Sequence, residues 1–127
     1  MKKNKKKWDY SLTKETEHNG SKIVFGLIVE KLTKNNLLFS GNLFSVRFGM
    51  SVCCADDVRD GLYDAELGVF KALGRAYKVN KNNHLTRNWN YTVQFENKFL
   101  NKPMLHGMLE KIVSDFHLNP KKYYAYG

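Results

Sequence analysis

Residues 43–53 read LFSVRFGMSVC. Successive side chains of an extended chain point to opposite faces. Phe44, Val46, Phe48, Met50 and Val52 therefore share one face, and Ser45, Arg47, Gly49 and Ser51 the other. Such alternation marks a half-buried antiparallel strand. The next stretch, DDVRDGLYDAELGVFKALGRAYK (56–78), changes to a helical period. Over 65–78, Leu67, Phe70, Leu73 and Tyr77 form an apolar stripe, with a ridge of small residues, Gly68, Ala72 and Ala76, beside it. Asp64 is the expected N-cap, and Asp60 and Glu66 suit the positive end of the helix dipole.

Two glycines interrupt this helix, and each costs up to about 1 kcal/mol relative to alanine. Close approach of the helix to a sheet offsets that cost at Gly68. Gly74 falls on the outer side among Lys71, Arg75 and Lys78, where a missing side chain gives a bulky anionic partner room to approach. The same charge order, acids first and bases last, also suits the macrodipole without any partner.

Working outward, KIVFGLIVEKL (22–32) carries apolar residues on both faces and reads as a central strand. TKNN (33–36) is turn chemistry, LLFSGN (37–42) is a short return strand or a lead-in, and Gly41–Asn42 marks a bulge or turn. NWNYTVQFE (88–96) alternates Trp89, Tyr91, Val93 and Phe95 against polar residues. Pro103 suits the start of a second helix over 103–117, with Leu105, Met108, Leu109, Ile112 and Phe116 on one face and Asn119–Pro120 as its stop. The expectation is an α+β fold: a small antiparallel sheet of three to four strands, two helices packed on one face, in the order β-β-(β)-α-β-α. Residues 1–20, with five lysines in the first seven, read as a flexible basic arm unless Trp8 and Tyr10 pin it down; 21–120 form a single domain; 121–127 are a tyrosine-rich tail that either docks by its tyrosines or stays loose.

The chain has 127 residues, enough for one core, and only two prolines. Lys and Arg outnumber Asp and Glu by 21 to 12, which gives a net charge of +9. That balance favours polyanionic partners, although basic charge also serves solubility alone. From Lys71 to Lys102 the basic residues 71, 75, 78, 81, 87, 98 and 102 face one acid, Glu96. Lysine and arginine neutralise phosphates, and aromatic rings stack on bases. The candidate binding set is Lys71, Arg75, Lys78, Lys81 and Arg87, extended by Arg47, Trp89 and Lys98. Trp89 and Tyr91 equally fit the core side of their strand.

Other chemistries find little support. Cys53 and Cys54 are adjacent, no CxxC is present and the four histidines are scattered, which argues against a disulfide framework or structural zinc and for a reducing compartment. Asp56, Asp57, Asp60, Asp64 and Glu66 cluster, but a calcium loop starting at Asp56 fails at Val58 and Leu67. Catalytic signatures are absent, so no catalytic residue, metal or cofactor is expected and the chain reads as non-enzymatic. No apolar run approaches the roughly 20 residues of a membrane span, and the start lacks the apolar segment of a signal peptide. The expected location is the cytoplasm, with no membrane partner.

The stretch FSVRFGMSVCCADDVRDGLYDAELGVFKALGRAY (44–77) resembles a pattern in small phage-encoded accessory proteins of unknown function. The matching residues are Cys53, Asp57, Gly68, Ala72, Arg75 and Ala76, and the extra GLYD (61–64) departs from the pattern. The resemblance implies an accessory protein of a phage or mobile element, acting in the host cytoplasm. Such proteins often bind nucleic acid or inhibit host machinery, anti-CRISPR proteins among them. Two expectations result. One is a protein that binds nucleic acid, or a host nucleoprotein such as a CRISPR effector, through its basic face. The other is an anti-CRISPR-like inhibitor that occupies the nucleic-acid channel of a host defence enzyme.

Overall fold

The computed structural model describes residues 8–31, 44–78, 93–97 and 102–123. Strands β1 (Tyr10–His18), β2 (Ser21–Lys31), β3 (Phe44–Cys53) and β4 (Val93–Asn97) form one antiparallel sheet in the order β1-β2-β3-β4. Helix α1 (Ala55–Arg59) follows β3 and leads into α2 (Ala65–Lys78); α3 (Lys102–Leu118) and the single turn α4 (Pro120–Tyr123) follow β4. The α+β class, the antiparallel sheet and the helix–strand–helix order after β3 agree with the sequence pattern. The LLFSGN segment, Trp89 and Tyr91 lie outside the described residues.

The flexible arm needs correction, because Tyr10–His18 is the edge strand of the sheet. It joins β2 through Asn19 and Gly20, both at positive φ (50° and 86°). A two-residue turn of this kind matches the twist of the strands it connects, and Asn-Gly is its strongest signal. β1 was hidden by its polarity. Its inward side chains include Lys14, bonded to Glu110 on α3 at 2.9 Å, and Thr16, 2.7 Å from His117 Nε2. These polar contacts take the place that apolar residues usually fill on a core strand.

The two long helices lie on opposite faces of the sheet. On one face Ile23, Phe25, Leu27, Val29, Val46, Phe48 and Met50 pack against Leu105, Leu109, Val113 and Phe116 of α3. Phe25, Phe116 and Tyr123 meet edge to face, with centroids 5.4 to 5.9 Å apart, the arrangement favoured by the ring quadrupole. On the other face Gly26 and Gly49 sit directly across from each other on β2 and β3, and α2 lies over them. The expectation of both helices on one face took Ser45, Arg47, Gly49 and Ser51 for a solvent face. They are instead the seat of α2, and Ser45, Arg47 and Ser51 are all buried. Small and polar residues there leave room for a helix backbone where large apolar ones would hold it off.

Of the two options for the C-terminal tail, docking by its tyrosines is the one seen at Tyr123. Tyr123 is a core residue at 1% exposure. Pro120 cannot continue α3 and instead begins the turn that carries Tyr123 inward. The Asp115 carboxylate accepts hydrogen bonds from the Tyr123 hydroxyl, Lys122 Nζ (2.9 Å) and Asn119 Nδ2 (3.1 Å). These donors favour its charged form and hold its pKa down, at about 2. A carboxylate depressed in the folded state contributes stability above its unfolded pKa and loses it as pH falls through the folded value. The clasp therefore stabilises fully above about pH 4 and fades toward about pH 2. Asp115→Asn should reduce stability at neutral pH and flatten the acid branch of the profile; chemical denaturation between pH 2 and 7 reads both effects.

Candidate nucleic-acid and partner interface

Helix α2 begins where Asp64 Oδ1 accepts the Leu67 amide at 3.2 Å, the expected N-cap. Its inner side is the small ridge: Ala72 and Ala76 are fully buried. A Cβ on Gly68 would stand 3.1 Å from Val24 Cγ2 and 3.6 Å from Ser51 Oγ. The cost of that glycine is therefore offset by close contact with the sheet. Ser51 Oγ also donates to the Gly68 carbonyl at 2.8 Å.

The apolar stripe behaves differently from its sequence reading. Leu67 is 46% exposed and Phe70 73% exposed, while the preceding Leu62 is 65% exposed. Gly68, Ala72 and Ala76 occupy the sheet side, and this rotation turns Phe70 outward. Leu73 and Tyr77 are half-buried, so only half of the stripe turns inward: the ridge and the stripe compete for one sheet-facing sector, and the close approach goes to the smaller residues.

The predicted cations separate into three groups. Lys71 and Lys78 are exposed on the outer side of α2, and neither enters an ion pair among the described residues. Arg75 is half-buried: its Nη1 donates to the Met50 carbonyl at 3.0 Å, and burial lowers its pKa. It helps fasten α2 to β3 and is not a freely projecting cation.

Arg47 is the larger correction. It is 1% exposed beneath the C-terminal end of α2. Its Nη1 donates to the Tyr77 carbonyl at 2.9 Å, and its Nη2 pairs with Glu30. Its guanidinium carbon also lies 5.5 Å from the Tyr77 ring centroid, within cation–π range. Burial lowers its pKa, and the Glu30 carboxylate opposes that shift. A guanidinium so enclosed meets no external phosphate. Lys81, Arg87, Trp89 and Lys98 lie outside the described residues.

Lys71 also borders an open groove of about 720 Å³ between the start of α2 and the ends of β2 and β3, with Cys53, Asp57, Tyr63 and Leu67 among its walls. The Tyr63 hydroxyl donates to Glu15 at 3.0 Å. Burial, and then that bond, raise its pKa to about 12. The residue ties the α1–α2 connection to β1. Burial raises the Cys53 thiol too, and the Asp57 carboxylate adds to the effect. Reactive cysteines need the opposite, an environment that favours the thiolate. Arg59 partly neutralises the acidic cluster, pairing with Asp56 at 3.2 Å and with Asp60 at 3.6 Å. Among the described residues, no three metal-ligating side chains converge. None of their helices is long and apolar enough to cross a membrane.

Sequence reasoning missed Leu62, Leu67 and Phe70 as surface residues, and it missed the acceptors that draw Arg47 and Arg75 inward. The Gly26–Gly49 pair was the available signal, since two glycines in neighbouring strands mark a place where another backbone comes close. No family model, no curated protein and no solved structure matches the chain.

Proposed function

We propose that this chain is a non-enzymatic binding protein, an accessory protein of a phage or mobile element, that engages nucleic acid through the outer edge of α2. The observation that carries this reading is the pairing state of its cations. Lys71 and Lys78 are exposed on a firmly seated helix and lack a carboxylate partner among the described residues. The chain around them carries a net charge of +9. Exposed lysines attract a phosphate backbone with little regard to sequence, through counterion release. Arg75 serves this edge indirectly, by fastening the helix that carries the lysines.

A second reading, inhibition of a host defence enzyme such as a CRISPR effector at its nucleic-acid channel, is favoured by a separate observation. Leu62, Leu67 and Phe70 are exposed close to Lys71, and aromatic side chains such as Phe70 are enriched at the centres of protein interfaces. Binding of labelled single- and double-stranded oligonucleotides should weaken roughly tenfold in the Lys71→Gln/Lys78→Gln variant. Pull-down from bacterial lysate before and after nuclease treatment separates the two readings. Loss of every partner after digestion supports nucleic-acid binding, and retention of one protein supports the inhibitor.

A further inference from the structure

We propose that the bound strand is single and that the groove beside Lys71 receives one of its bases, an amino-bearing base that donates to Asp57; this rests on the reading of α2 as a nucleic-acid edge. Lys71 and Lys78 stand seven residues apart, about two turns of α2 and about 10 Å along it. They therefore share one side of the helix and set a line for a phosphate backbone. At its Lys71 end this line opens on the groove of about 720 Å³ between α2 and the ends of β2 and β3. That volume falls in the range of small-ligand sites, roughly 300–1,000 Å³.

The lining holds charges of both signs that do not pair. Lys71 and Asp57 both border the groove and both are exposed. Neither enters an ion pair among the described residues. Both act on the Cys53 thiol, in opposite senses, so the two lie near it. Arg59 turns to Asp56 and Asp60 and leaves Asp57 open. Asp64, the other carboxylate of the lining, is engaged as the cap of α2. A groove that offers an ammonium and a carboxylate fits a ligand that carries an anion and an N–H donor together. A nucleotide with an amino group on its base is such a ligand. Its phosphate meets Lys71, and Asp57 accepts from the amine as carboxylates accept from cytosine N4. Leu62 and Leu67 are exposed apolar walls of the same groove, the kind of surface against which an extruded base packs its face. Uracil and thymine present the O4 acceptor where cytosine presents its amine, and a carboxylate repels it. A duplex keeps these bases paired and inside its stack, so a single strand fills the groove and a duplex does not.

The test is fluorescence anisotropy of the full chain with labelled oligo-dC and oligo-dU of equal length, which differ in the base edge alone, and with a duplex. Wild type should bind oligo-dC about tenfold more tightly than oligo-dU, the weight of a hydrogen bond to a charged group. Asp57→Asn removes a negative charge and raises the affinity of every oligonucleotide, but the dC-to-dU ratio should fall to about one, because an amide serves either edge. Leu67→Ser should weaken oligo-dC about fivefold and leave duplex binding unchanged, with both variants folded by circular dichroism. Equal binding of oligo-dC and oligo-dU by wild type, or a ratio that survives Asp57→Asn, overturns the assignment of the groove. In that event a loss of affinity for both strands in Lys71→Gln/Lys78→Gln leaves the wider nucleic-acid reading standing. Absence of binding to every oligonucleotide overturns both.

Discussion

Gly49→Ala should be the most damaging single methyl in this protein. A Cβ at that position would stand 2.4 Å from the Ala76 amide nitrogen and 2.5 Å from the Ala72 carbonyl oxygen. Both atoms belong to a helix backbone, which cannot rotate aside as a side chain can. Relief requires lifting α2 from β3, and that loosens the contacts of Ala72 and Ala76 and the bonds from Ser51, Arg75 and Arg47 together. Overpacking a tight core usually costs about 1–3 kcal/mol and occasionally more. With backbone on both sides of the clash, about 3 kcal/mol or more is expected, which lowers the melting temperature by roughly 10 °C or more. Gly26→Ala is the internal comparison. Its nearest obstacle, at 3.0 Å, is the movable Leu73 Cδ2, with Ala72 atoms at 3.3 Å, so a clearly smaller loss is expected. Equal losses at the two positions would contradict the geometry.

The second large effect belongs to Arg47. Arg47→Ala removes the partner of Glu30 and the hydrogen bond from Arg47 to the Tyr77 carbonyl. It also empties the space beneath the end of α2. Breaking a buried pair by deleting one partner costs about 3–5 kcal/mol; Glu30 is itself 30% exposed and regains water, so a loss at the lower end, about 3 kcal/mol, is expected. Arg47→Met fills the space but restores neither bond, so it should recover only the packing part. Combining Arg47→Met with Glu30→Leu removes both charges, and buried pairs replaced by apolar residues are often neutral in stability. Thermal unfolding of the three variants should therefore rank Ala lowest, Met next and the double variant highest. Loss of binding without loss of stability in Arg47→Ala would instead point to a direct contact with a partner, which its burial denies.

Much of this architecture was legible because local pattern and tertiary role agree. The span 65–78 has helical period, an Asp64 cap and a basic last turn, and it is the helix observed. The alternation in β3 sorted its residues onto the right two faces, but the half-buried reading took the polar face for solvent, because Ser, Arg and Gly look alike whether they face water or a closely packed helix. Arg47 illustrates the difficulty. Its burial depends on Glu30 and Tyr77, which lie 17 and 30 residues away and meet it only through the pairing of Ile28 with Arg47. β1 was obscured by its own composition, yet Asn19–Gly20 carried the hairpin signal that its polar residues masked. Of the candidate site, Lys71 and Lys78 lie where their helical spacing indicated. Arg75 differs by its aim: its long side chain turns back to the Met50 carbonyl, a choice made by a neighbouring strand and invisible in helical spacing.

The central claim is that α2, seated on its glycine bed, holds Lys71 and Lys78 outward for a polyanion. The most direct test is the slope of log affinity against log salt for oligonucleotide binding, in wild type and in Lys71→Gln/Lys78→Gln. Each phosphate contact contributes about 0.7 to that slope on single strands and about 0.9 on duplex. Neutralising both lysines should flatten it by roughly 1.4 to 1.8, with the fold intact by circular dichroism. An unchanged slope and affinity in a folded variant would contradict the claim.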